Sequence, residues 1–192
     1  MNTFKSAMHA RFATLGIAAL AGTASAADVF EFPLDGMQEV PANNSLSTGF
    51  ATLSYDNAAQ TFDISVTTNG IPLGDLLGVG PNTSPIHLHL APAGANGPIV
   101  VDLGLVGSFV DQGGGMLTFD AVGVPIGGPQ GAIPATDPAA NEAALFAGEL
   151  YLNIHTQPFP GGEIRGQVVP APASMALLAG GALFARRRRR SS

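Results

Sequence analysis

Tyr151-Leu152-Asn153-Ile154-His155-Thr156 leads through Gln157-Pro158-Phe159-Pro160-Gly161 into Gly162-Glu163-Ile164-Arg165-Gly166-Gln167-Val168. Successive side chains on a strand point to opposite faces, so Leu152, Ile154, Ile164 and Val168 share one side and the polar residues share the other. Two alternating runs around a Pro- and Gly-rich reversal predict an antiparallel hairpin of strands at 149–156 and 163–169. If the turn is symmetric about Phe159, His155 faces Glu163, Asn153 faces Arg165 and Tyr151 faces Gln167. One polar face then carries a histidine, a carboxylate, an arginine, an amide and a phenol.

The same period of two recurs outward from this hairpin. Phe62-Asp63-Ile64-Ser65-Val66-Thr67, Ile86-His87-Leu88-His89-Leu90 and Met116-Leu117-Thr118-Phe119-Asp120 all alternate. Further strands are expected at 29–34, 49–56, 60–68, 85–90, 99–103 and 115–121. One short alanine-rich helix is expected at 139–147, closed by Gly148. Residues 122–138 are rich in Gly and Pro and read as a long loop. About eight short strands with such turns predict an all-β domain at 28–169, an antiparallel β-sandwich or Greek-key barrel.

Within that domain the histidines are His87, His89 and His155. His87 and His89 lie two apart on one strand and share a face, a recurrent way of presenting two imidazoles to a metal. With His155 they form a candidate site for Zn²⁺ or Cu²⁺, water or Glu163 supplying a fourth ligand. The competing reading is a hydrogen-bonded polar network that fixes the register of two hairpins. Glu163 has two candidate roles, orienting the His155 ring or pairing with Arg165 on the same face. Tyr151 and Asn153 belong to the same cluster.

Other chemistries find no support. With no cysteine there is no disulfide, thiolate site or thiol nucleophile. No Gly-x-Ser-x-Gly elbow, phosphate loop, dinucleotide fingerprint or His-Glu-x-x-His occurs. The carboxylates show neither calcium-loop spacing nor a pair suited to glycoside hydrolysis. No catalytic residue is therefore expected.

The two ends read as processing segments. Residues 1–26 have a basic start at Lys5 and Arg11, a short apolar run and Ala24-Ser25-Ala26, the pattern of a signal peptide. Residues 170–192 combine Pro170-Ala171-Pro172, an apolar run and Arg186, Arg187, Arg188, Arg189 and Arg190. That run is short for a permanent span and suits a transient or short membrane anchor read by a processing enzyme. Without these ends, one cation, Arg165, faces 14 acidic residues, a formal charge of −13. Nucleic acid is excluded as a partner by such a charge.

Gly36-Met37-Gln38-Glu39-Val40-Pro41, Ser47-Thr48-Gly49, Ile86-His87-Leu88-His89, Gly94-Ala95-Asn96-Gly97-Pro98-Ile99-Val100 and the final hairpin together resemble the chordin-type (CHRD) domain. The departures are Ala91-Pro92, where the family commonly has a glycine, and a longer Gly- and Pro-rich insert at 123–138. The tail resembles the PEP-CTERM sorting signals of bacteria that make extracellular polysaccharide, with Pro-Ala-Pro in place of Pro-Glu-Pro. The His-x-His strand is also similar to copper–zinc superoxide dismutases, although their fuller histidine set and disulfide are missing.

These resemblances imply a sandwich-like fold and an exported protein of the cell envelope or extracellular matrix. They imply no enzymatic reaction. The expected role is a non-enzymatic structural or binding module, with a metal-binding, redox-active domain and a carbohydrate- or matrix-binding module as alternatives. Its partners would be the export machinery, a C-terminal sorting enzyme, and extracellular polysaccharide or surface proteins.

Overall fold

The computed structural model describes residues 27–80, 84–128 and 136–171. The expected leader at 1–26, and Pro172 and Arg186 to Arg190 of the expected sorting tail, fall outside these described residues. Among the described residues, nine strands form one curled antiparallel sheet. In chain order these are β1 (Asp28–Asp35), β2 (Thr48–Asp56), β3 (Thr61–Asn69), β4 (Ile86–Leu90), β5 (Ile99–Asp102), β6 (Val110–Gly113), β7 (Met116–Pro125), β8 (Leu150–Ile154) and β9 (Ile164–Gln167). One α-helix among the described residues, α1 (Pro138–Ala147), precedes β8. Across the sheet the order is β5-β4-β8-β9-β1-β2-β3-β7-β6.

Alternation explains why the sheet curls around one core. Phe30, Phe32 and Leu34 from β1, Ala51, Leu53 and Tyr55 from β2, and Phe62, Ile64 and Val66 from β3 all point inward and are buried. Leu117, Phe119 and Ala121 continue the inner face on β7, and Leu88, Leu152, Ile154 and Ile164 complete it on the other half. Burying a Leu, Ile or Phe side chain contributes roughly 1.5–3 kcal/mol. A core of this size stabilises the domain without disulfides. Capping of α1 is local: Asp137 accepts from Ala139 N–H, and Gly148 ends the helix at φ 70°.

The hairpin register expected about Phe159 is present, with Tyr151 opposite Gln167 and Asn153 opposite Arg165. Two differences stand out. The expected loop at 122–138 begins as strand, because β7 runs on to Pro125 beyond a register shift opposite Phe62 and Ile64. There Asp63 accepts from the Gly123 N–H at 2.8 Å. The ninth strand, β6, has no apolar alternation to reveal it, since all four of its residues are exposed. At the end of the domain Pro170 bridges Phe30, and the Ala171 N–H donates to Val29 O at 3.0 Å.

Candidate metal centre

Strands β4, β8 and β9 are buried on both faces. Their inner face is apolar. Their outer face is polar and is roofed by three loops, at 36–47, 91–98 and 157–162. Asn43 ties the first loop to the third by donating to the carbonyls of Gly162 and Glu163 at 3.1 and 3.0 Å. Asn96 ties the second to the first by donating to Val40 O at 2.7 Å. Gly162 adopts φ +134°, and a side chain there would collide with Glu39 and Asn153, so the close approach requires glycine.

Cross-strand register assembles the site beneath this roof. One row across the sheet reads Asp102, His87, Asn153, Arg165 and Asp35. The next reads His89, Tyr151 and Gln167. His155 follows β8 directly, its N–H bonded to Pro85 O at 2.9 Å. The three histidine rings pack edge to face or tilted, with centroids 4.9 Å (His87–His155), 5.5 Å (His87–His89) and 6.1 Å (His89–His155) apart. One ring nitrogen from each lies within 4.8 Å of the others. They are 7, 8 and 8 % exposed.

Hydrogen bonds determine which nitrogen each ring turns inward. His89 Nδ1 lies 3.0 Å from Gly97 O and His155 Nδ1 lies 3.1 Å from Pro160 O. A carbonyl only accepts, so both rings carry their proton on Nδ1, and a neutral ring then has its lone pair on Nε2. The Asp102 carboxylate lies 3.8 Å from His87 Nε2, which favours the proton there and leaves the lone pair on Nδ1. The remaining nitrogens, His87 Nδ1, His89 Nε2 and His155 Nε2, have no hydrogen-bond partner among the described residues.

Electrostatics keep all three rings neutral. Burial, followed by the neighbouring histidines, lowers the pKa of His87 to about 3. Burial lowers that of His89 to about 4 against the opposing bond to Gly97. His155 is lowered by burial, with the Pro160 bond and the Asp102 charge pulling the other way. A neutral imidazole is the ligand form, and at neutral pH the contact between His87 and Asp102 is not an ion pair. A tetrahedral zinc with bonds of about 2.0–2.1 Å sets its nitrogens about 3.3 Å apart, so the longest edge of this triangle must close by about 1.5 Å. The residues fit the ion.

Glu163 and Arg165 depart from both roles weighed for them. The Glu163 carboxylate accepts from Ser45 Oγ at 2.8 Å, Ser47 Oγ at 2.7 Å and Thr156 Oγ1 at 2.6 Å. It neither orients His155 nor pairs with Arg165, because three hydroxyls already occupy it. Glu163 is not among the three residues whose ligand atoms cluster, which are His87, His89 and His155. Arg165, 1 % exposed, donates to Ala95 O at 2.7 Å and Asn96 Oδ1 at 3.2 Å. Its guanidinium carbon lies 3.4 Å from the centre of the Tyr151 ring. The carboxylate that interacts with its charge is Glu39, which burial raises to about 7 against the pull of Arg165.

Sequence reasoning gave no role to Glu39, Asp102, Ser45 or Ser47. Glu39 lies within the Gly36-to-Pro41 motif but reaches the site only through loop folding. Asp102 had the better signal, as the one charged residue of β5, directly opposite His87.

With this geometry established, the sequence model of the CHRD domain family matches residues 30–168. No curated protein and no solved structure matches the chain.

Proposed function

Because the chain belongs to the CHRD domain family, we propose that it is a module of that family whose roofed polar face binds a transition-metal ion, Zn²⁺ or Cu²⁺. The ligands are His87 Nδ1, His89 Nε2 and His155 Nε2. The observation that carries this reading is the convergence of three buried lone pairs that accept no hydrogen bond. A buried acceptor left unsatisfied costs roughly 1–3 kcal/mol, and three pointing at one another are neither a hydrogen-bonded network nor a packed apolar core. A cation satisfies all three at once. Neutral nitrogen donors suit zinc and copper and are poor ligands for calcium or magnesium.

Bound there, the ion would supply Lewis acidity or, as copper, one-electron chemistry. The chain's own residues orient the rings, through the Gly97 and Pro160 carbonyls and Asp102, and exclude bulk water. Catalysis is no part of the proposal.

Export to the cell envelope or matrix is the second element, supported by the leader pattern of residues 1–26 and the tripartite pattern of residues 170–192. A sorting enzyme would read the tail, and the acidic domain would meet polysaccharide or surface proteins outside. Deleting Arg186 to Arg190 should impair retention or processing at the membrane; unchanged sorting of the truncated protein would remove this element.

Metal content of the purified chain after exposure to Zn²⁺ or Cu²⁺ and removal of the excess tests the first. One ion per chain, lost in His87→Ala and in His155→Ala, is expected. Binding that survives both substitutions would end the metal reading and leave a structural or partner-binding module.

A further inference from the structure

Arg165 is the one cation among the described residues, and it is buried beside the histidines without belonging to their triad. What it does touch forms a closed circuit around His89. The His89 ring stacks on Tyr151, with centroids 4.8 Å apart and planes 9° from parallel. Strand order β4-β8-β9 sets Tyr151 between the strands of His89 and Arg165, and its ring is in contact with both. The same guanidinium holds Ala95 O and Asn96 Oδ1. One residue further along, Gly97 O accepts the His89 Nδ1–H, and the Gly97 N–H donates to Tyr151 Oη at 3.3 Å.

We propose that Arg165 is a positioning residue for the metal centre, fixing the ring plane of His89 through Tyr151 and its tautomer through the 95–97 loop. Five donors in a rigid fork allow one side chain to do both. A lysine ammonium keeps the charge but cannot lie flat on Tyr151 while holding two acceptors in line. Once the loop relaxes, nothing holds the His89 proton on Nδ1, and its Nε2 no longer aims steadily into the triad. His155 provides an internal control, since its Nδ1 proton is held by Pro160 on a different loop.

Only the affinity arm of this inference rests on the metal reading. The decisive experiment is nitrogen-15 NMR of the histidine rings in the metal-free chain, native and as Arg165→Lys, Arg165→Met and Asn96→Ala. The native chain should show His89 as a single Nδ1–H tautomer. Both Arg165 variants should mix the His89 tautomers and leave His155 unmoved. Asn96→Ala, which removes one of the two Arg165 bonds together with the bond to Val40 O and keeps the stack, should shift His89 less. Zinc affinity should fall roughly 10- to 100-fold in Arg165→Lys.

A His89 tautomer unchanged in the Arg165 variants overturns the proposal, as does an equal disturbance of His155, which signals general loosening. Should the Arg165 variants fail to fold, Asn96→Ala decides alone, and no shift in it is a refutation. Failure of the native chain to bind zinc would strike the metal reading, while the tautomer result still decides this one.

Discussion

One sheet contains two regions built by opposite rules. In the half formed by β1, β2, β3 and β7, the inward face is apolar and the outward face is polar and wet. Glu31, Asp63, Ser65 and Asp120 stand exposed there. In the half formed by β4, β8 and β9 the same alternation persists, yet the polar face is buried too. The first half leaves its outward polar groups to water, and only Tyr55 Oη and Thr68 Oγ1 on its inner face are buried there without a hydrogen-bond partner among the described residues. The second has to find partners for its buried polar groups, and does so for Glu163, Arg165 and Gln167 but not for the three inward histidine nitrogens or Asn153 Oδ1. The same fold that satisfies a buried carboxylate with three hydroxyls leaves three imidazole nitrogens without a partner, the observation on which the proposed metal site rests.

Acid should separate the halves most strongly. His87 and His89 titrate near 3 and 4 in the folded chain and near 6.5 when unfolded, and His155 shifts in the same direction. Below about pH 6.5 the unfolded state therefore binds protons that the folded state refuses, and stability falls with falling pH. Glu39 opposes this. Its pKa is raised from 4.5 to about 7, so its contribution is present in full below 4.5 and is lost as pH rises through 7. Three histidines outweigh one carboxyl. The urea midpoint of the metal-free chain should drop steadily from pH 6.5 to 4.5, each proton contributing about 1.4 kcal/mol per pH unit. A flat profile would show that the histidines are not buried neutral.

Next in size is Arg165→Ala, expected to cost about 3 kcal/mol, because it strips partners from Ala95 O and Asn96 and uncovers the Tyr151 ring. Glu31→Ala, on the wet half, should change stability by less than about 0.5 kcal/mol. Comparable effects in chemical denaturation would erase the distinction between the halves. Zinc at a hundredfold excess over its dissociation constant should add about 2.7 kcal/mol to the native chain and nothing to His155→Ala. Smaller than the zinc effect is that of His87→Leu in the metal-free chain, which should raise stability by about 1 kcal/mol, since a polar atom with no partner is replaced by an apolar one. A clear loss instead would mean that His87 serves as a structural hydrogen-bonding residue.

The final hairpin was legible in the sequence because its information is local. Alternation on each side of a Pro- and Gly-rich turn specifies the register, and Asn153 does face Arg165. His87 and His89 were equally legible, two apart on a strand, and His155 joins them through the pairing of β4 with β8. The partners of Glu163 and Arg165 were not. Ser45 and Ser47 lie more than 110 positions before Glu163, and Ala95 and Asn96 about 70 before Arg165, on loops that carry no periodic signal. Charge complementarity within the hairpin suggested an ion pair, but folding supplied hydroxyls and carbonyls that fit better. β6 escaped notice for a related reason: a strand with every residue exposed leaves no hydrophobic pattern.

The most direct test of the metal centre is a crystal structure of the zinc-loaded chain, with the ion located by its anomalous scattering. The account predicts one ion within about 2.1 Å of His87 Nδ1, His89 Nε2 and His155 Nε2, with Glu163 still bound to its three hydroxyls. Zinc found only among the exposed carboxylates, with the three rings unmoved, would contradict it.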